Sequence, residues 1–383
     1  MGKGPQQRVS SGASKKSKKD DSEDFQAFCS ELAKATSKKK PEQHPGPKES
    51  AAQIAAKGAM EAPHPLEKML EHQARQRKLQ TFLSTMMAAE RQRSSAFLSK
   101  PDTTFVPEKL VGKHFASAAG SMQGWRAVME DQHILDVDFL GAEREGCGLF
   151  AVFDGHAGQK CAQINKVLMP VFAKKHFNAA TGSIGFENAF ADLDNAMRAK
   201  GLPDESGSTA VVVFVTPTHV TCASVGDSRA VLCRGGKCVS LSFDHKPNNE
   251  LEKLRITAAG GHTENNRVNG QLAMSRALGD YMYKRDATRP AHEQLVTNIP
   301  DVIRLDRTKE DLFLVVACDG IFDVLSNEAV VEFVHQQLQE DPTQELTNIC
   351  HKLCNRCLAP ASSPSGQPCG LGTDNMTVVI VKL

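Results

Sequence analysis

Four aspartates, far apart in the 383 residues, each sit in a short phrase of apolar and acidic residues. They are Asp131 in RAVMED, Asp154 in LFAVFDGH, Asp319 in LVVACDGIFD and Asp374 in GTDNMTVVIV. A carboxylate at the end of a buried strand is costly unless something positive neutralises it. Several such carboxylates, drawn from distant parts of one domain, are best accounted for by a shared cation. The fold must therefore gather remote strand ends at one place, around oxygen ligands.

The chain is long enough for one large domain with an appendage, or for two smaller ones. A hydrophobic content of 40% can fill a sizeable core, and a net charge of +1 carries no overall polyanion-binding character. The 11 cysteines are too scattered in too long a chain for a disulfide scaffold, so reduced thiols are expected. No signal-peptide pattern and no apolar stretch of spanning length is visible, which makes a cytoplasmic location the expectation. Gly2 invites N-myristoylation, but Gln6 stands where Ser or Thr belongs, so membrane association is expected only if that lipid is added.

Texture divides the chain near residue 107. Residues 1–62 read as a basic, low-complexity, disordered tail; the first 50 hold 11 basic and 7 acidic residues, a net +4. Its KKSKK and KKK clusters read as solvated charge, with a nuclear or membrane-surface signal as the sharper alternative. Residues 63–106 read as a helical extension and linker, with Leu66, Met69, Leu70, Leu79, Phe82, Leu83 and Met86 near one face of a helix running to Phe97. Residues 107–383 read as the folded domain.

Within that domain GLFAVF before Asp154 reads as a buried strand, and residues 161–177 as a helix kinked or broken at Pro170. STAVVVFV and VTCASV read as a hairpin, and SRAVLCR and KCVSLSF as a second one around Gly235-Gly236. Residues 249–259, 328–338 and 343–356 read as helices, and LFLVVACD and MTVVIVKL as further strands. Hairpins with clustered helices imply an α+β fold of antiparallel sheets covered by helices.

Hard oxygen donors suit Mg²⁺ or Mn²⁺ more than zinc, and no His-and-Cys cluster competes. Gly155 allows its carbonyl to turn toward the same ion as Asp154. One bridging aspartate would place two cations roughly 3.5–4 Å apart and acidify a shared water. Arg126, close to Glu130 and Asp131, offers a guanidinium fork for phosphoryl oxygens. His156 is placed to protonate a leaving oxygen.

The phrases SMQGWRAVMED, FAVFDGHAG, GSTAVVV, VGDSRAVL, DHKP, RVNGQLAMSRALGD, VACDGIFDV and GTDNMTVV follow one another in order. Over residues 111–383 the chain resembles the protein phosphatase 2C family of metal-dependent serine/threonine phosphatases. The resemblance implies a central antiparallel β-sandwich flanked by pairs of antiparallel helices, with two Mg²⁺ or Mn²⁺ ions at one end. It implies that Asp154 bridges both ions, that the Gly155 carbonyl binds one, and that Asp319 and Asp374 bind the other. Glu130 and Asp131 would act largely through bound waters, Arg126 would hold the phosphate and His156 would be the acid. A weaker third metal position would involve Asp227 and Asp319, with Asp323 as a helper. Residues 248–300 match the family's flap, and Phe322 stands where its CDGIWD phrase has Trp. Phosphoprotein substrates, a monomer and no nucleic-acid partner are expected.

Blander readings stand beside these. In these, Asp319 and Asp374 cap turns, Arg126 pairs with Glu130, and His156 lies on a helix surface. Ser208, Thr209, Asp227, Arg229, Asn269, Arg276 and Asp280 have buried hydrogen-bonding roles open to them, so Asp280 stays outside the ligand set. Residues 350–356, CHKLCNR, fit a Cys-x5-Arg thiolate phosphatase spacing, but lack the glycines of a phosphate loop and read as helix. A non-catalytic scaffold on the same fold would be expected to have lost metal aspartates. A nuclease lacks an extended basic surface near the motifs.

Overall fold

The computed structural model describes residues 97–360 and 370–383. The tail expected over residues 1–62 lies outside the described residues, as does the expected helix except for Phe97. Phe97 opens a strand, β1 (Phe97–Val111), which pairs with β2 (Ala116–Arg126). The boundary expected between residues 106 and 107 therefore falls inside an element. Its sequence, FLSKPDTTFVPEKLV, carries two prolines, which a helix interior rejects and an edge strand tolerates. The turn to β2 is closed by Gly112 N donating to Phe115 O at 2.9 Å, and Ser117 Oγ donates to Leu110 O at 2.8 Å.

The remaining main strands are β3 (Gln132–Asp136), β4 (Gly148–Phe153), β5 (Ala210–Val215), β6 (His219–Val225), β7 (Arg229–Arg234), β8 (Lys237–Ser240), β9 (Asp301–Asp306), β10 (Asp311–Ala317) and β11 (Met376–Lys382). They form a six-stranded sheet, β1-β2-β11-β10-β7-β8, and a five-stranded sheet, β9-β6-β5-β4-β3. Both expected hairpins are present, β5–β6 and β7–β8, the second turning through Gly235 and Gly236 at φ 57 and 77. The helices are α1 (Lys160–Lys175), α2 (Phe186–Ala199), α3 (Glu250–Ala258), α4 (Asp319–Phe322), α5 (Asn327–Glu340) and α6 (Leu346–Cys357).

Alternate residues of the strands feed different cores. Ala119, Phe150, Val152, Val213, Leu232, Val316 and Val379 meet between the sheets. Leu149, Ala151, Phe153, Val212 and Phe214 point the other way, against Leu168 and Phe172 of α1 and Phe190 and Leu193 of α2. Val315 and Ile380 face Val330 and Val334 of α5 and Ile349 and Leu353 of α6. With both faces covered, antiparallel strands such as GLFAVF and AVVVFV are apolar throughout, a pattern more usual in parallel sheets. Burying each large side chain contributes about 1.5–3 kcal/mol. This packing keeps α1 unbroken at Pro170: buried Leu168, Met169, Phe172 and Ala173 offset the missing N–H. Among the described residues no helix is long and apolar enough to cross a membrane.

Candidate active site

Two of the four aspartates close strands and two open them. Asp154 and Asp319 follow β4 and β10, whereas Asp131 and Asp374 precede β3 and β11. Antiparallel register brings both kinds to one edge, because Gln132 pairs with Phe153 and Ala317 with Val378. Asp227 lies in the turn from β6 to β7, where Arg229 pairs with Ala317. One end of the sandwich thus collects carboxylates from both sheets.

Their electrostatics are those of a crowded, dry, negative site. Burial drives the Asp154 carboxyl well above the usual carboxylate range, and the charges of Asp131, Asp319, Asp374 and Asp227 add to it. Asp319 is raised in the same way by burial, then by Asp227, Asp374 and Asp323. Asp131, only 3% exposed, is pushed up to about 7 by burial, with the charge of Asp374 adding to it. Glu130 is raised by burial too.

Among the described residues eight buried side-chain nitrogen or oxygen atoms have no hydrogen-bond partner. Four of them are Oδ1 and Oδ2 of Asp131, Oδ1 of Asp227 and Oδ1 of Asp319, and a fifth is Nδ1 of His156. The unmet demand is therefore concentrated here, and that of the four carboxylate oxygens is a demand for positive charge. A hard divalent cation fits such oxygen donors. Among the described residues no three Asp, Glu, His or Cys side chains form a ready-made ligand cluster.

Gly155 is required for a reason other than the bend expected of it. A Cβ there would stand 2.6 Å from the carbonyl oxygen of Glu130, so only glycine allows the two backbones to approach. The Glu130 loop is pinned from both sides. Gly158 N donates to Glu130 Oε1 at 2.8 Å, and Glu130 N donates to Asn375 Oδ1 at 2.9 Å. Asn375 Nδ2 in turn donates to Gln123 O at 2.9 Å and Val128 O at 3.1 Å. Arg126, the last residue of β2, pairs through Nη2 with Asp374 Oδ2 at 2.5 Å. One carboxylate partner is thus Asp374, just ahead of the neighbouring strand β11.

Three residues around the site escaped the sequence reading as parts of it. Asn375 is one. Lys246 is the second, with Nζ 2.5 Å from Asp227 Oδ2; its DHKP phrase was noted without a role. The third is Asp280, whose carboxylate engages His156 Nε2 at 2.8 Å. Burial disfavours the charged imidazole, but the Asp280 charge more than offsets it, so the histidine is held above its ordinary value. The Cys-x5-Arg residues lie on α6, with Cys350 and Cys354 facing the core. Burial pushes the Cys350 thiol far up, leaving neither a thiolate nor a phosphate cradle.

The family model of protein phosphatase 2C matches residues 115–366. A probable protein phosphatase 2C of Caenorhabditis elegans is 44% identical over 290 residues, covering 75% of this chain and 79% of its own. Protein phosphatase 1B of Rattus norvegicus is 40% identical over 304 residues, 75% of each chain. Among solved structures, a serine-threonine phosphatase 2C from Toxoplasma gondii shares the fold at a TM-score of 0.57 and 23% identity, over 73% of this chain and 99% of that one. The chain belongs to the protein phosphatase 2C family. It is a metal-dependent protein serine/threonine phosphatase.

Proposed function

We propose that the chain hydrolyses phosphoserine and phosphothreonine in proteins at a pair of Mg²⁺ or Mn²⁺ ions. The observation that carries this reading is the set of buried carboxylate oxygens without partners at one end of the sandwich. Asp154 would bind both ions, the Gly155 carbonyl one of them, and Asp319 and Asp374 the other. Glu130 and Asp131 would act chiefly through bound waters, and Asp227 belongs to a weaker third position. When bound, such ions supply an acidified water as nucleophile near neutral pH.

The side chains do the rest. Arg126 presents a planar fork to two phosphoryl oxygens, at the edge of the site where Asp374 already orients it. His156 supplies the proton that a serine or threonine alkoxide needs on leaving. Its Nε2 is committed to Asp280, so Nδ1 is the nitrogen left to hand on a proton.

The test uses the full chain on phosphoserine, phosphothreonine and phosphotyrosine peptides. Activity on the first two is expected with Mn²⁺, lost in excess EDTA and restored by fresh Mn²⁺. Turnover that survives EDTA but not a thiol alkylator would remove the reading.

A further inference from the structure

Beside the sandwich, a small three-stranded sheet joins Gly155–His156, Gly207–Ser208 and Leu278–Gly279. Its middle strand is Gly207–Ser208, and both His156 and Gly279 lie opposite Gly207. The imidazole therefore reaches past a position with no side chain to the residue after Gly279, which is Asp280. His156 Nε2 sits 2.9 Å from Oδ1 and 2.8 Å from Oδ2 of that carboxylate. A methyl group on Gly207 would strike both Asp280 Oδ2 and His156 Nε2.

Asp280 is 1% exposed and holds a left-handed backbone at φ 53, a conformation unfavourable for a residue with a side chain. Its own N donates to Ser206 O at 3.0 Å. A buried platform fixes the residues on either side. Gly279 N donates to Asp194 Oδ1 at 2.7 Å, Tyr281 Oη to Asp194 O at 2.7 Å, and Lys284 Nζ to Asp194 Oδ2 at 3.0 Å.

We propose that Asp280 is the positioning residue of the proton donor, and that Gly207 is the gap that lets the two meet. A carboxylate can only accept, so Nε2 must carry the hydrogen that faces it, and Nδ1 becomes the atom that protonates the leaving oxygen. Asp280 thereby fixes both the orientation of the ring and the nitrogen it uses. This inference rests on the reading of His156 as the acid.

The experiment compares a phosphothreonine peptide, whose alkoxide needs a proton, with p-nitrophenyl phosphate, whose phenolate does not. It uses the full chain with Mn²⁺. Asp280→Asn keeps the size and a backbone conformation that Asn tolerates. Its kcat on the peptide is expected to fall about 10- to 100-fold, against less than about threefold on the aryl ester. Combined with His156→Ala it should add no further loss on the peptide. Gly207→Ala should show the same split, and decides the matter if Asp280→Asn does not fold, as thermal unfolding will reveal. Mn²⁺ affinity by calorimetry should match wild type for both variants. Equal losses on the two substrates, or additivity with His156→Ala, would overturn the positioning role. His156→Ala run alone separates the two readings. A split there without one for Asp280→Asn sinks only the present inference, whereas equal losses for His156→Ala sink the acid itself.

Discussion

Glu252 and Asp131 are buried to nearly the same degree, 4% and 3% exposed, yet their carboxyl groups are displaced in opposite directions. Glu252, in α3, accepts from Arg255 Nη1 at 2.6 Å, Arg276 Nη2 at 2.7 Å and Ser275 Oγ at 2.5 Å. Burial alone would raise it, but the two guanidinium groups and Ser275 hold it down at about 2. Asp131 has no guanidinium against it, and burial carries it up to about 7. Glu252 is matched by cations of its own segment; at the carboxylate end Arg126 and Lys246 meet Asp374 and Asp227, and the buried charge of Asp131 is left to be met from outside. Burying an ion costs several kcal/mol in real proteins, so the same burden is discharged internally in one region and deferred in the other.

The sharpest way to break this contrast is Asp154→Ala. Turnover should fall by about 10³-fold or more, a loss of roughly 4 kcal/mol in transition-state stabilisation. The calorimetric heat of Mn²⁺ binding should fall with it, and unchanged affinity would end the deferred-charge account. Glu252→Ala takes the carboxylate from Arg255 and leaves Arg276 with Asp301 alone, and should cost about 3–5 kcal/mol in urea unfolding. A cost under about 1 kcal/mol would mean that the Glu252 pairs contribute little net stability.

Mn²⁺ at about 100 times its dissociation constant should stabilise the wild type by about 2.7 kcal/mol. Thermal shifts of Asp154→Ala under the same conditions should be much smaller. The acid side of the contrast follows from linkage. Because the folded value of Glu252 lies near 2, below its ordinary 4.5, its contribution is complete above about pH 4.5 and disappears as pH falls toward 2. Wild type should therefore lose about 2 kcal/mol more than Glu252→Gln between pH 5 and pH 3 in denaturant titrations. Cys350→Ala gives the smallest effect. It should cost about 1 kcal/mol of stability through a small cavity and leave turnover unchanged, and a large activity loss would revive the thiolate route.

The strands were legible for a physical reason. GLFAVF and AVVVFV are buried on both faces, so no polar residue interrupts them, and an aspartate against such a run stands out. The ligand candidates Asp131, Asp154, Asp319 and Asp374 were therefore visible one by one, and antiparallel register gathers them. β1 was hidden because an edge strand with Pro101, Pro107 and many exposed residues carries no strong alternation. The continuity of α1 through Pro170 was hidden because it depends on packing beneath it. The pairing of His156 with Asp280 spans 124 residues through strands of two residues each, too short to leave any period in the sequence. Asn375 was overlooked because its partners are backbone groups of Gln123, Val128 and Glu130, which no side-chain pattern announces.

The carboxylates come from both sheets, and this bears on how the molecule comes apart. Asp131 and Asp154 flank strands of one sheet, Asp319 and Asp374 flank strands of the other, and Asp227 lies in the turn that passes between them. Without a counter-ion, mutual repulsion acts as a wedge driven into the seam at that end. An ion gripped from both sides would act as a rivet, so that separating the sheets first requires its release. Unfolding would then be paced by ion dissociation, and lifetime against proteases would report on the seam rather than on the cores beneath it.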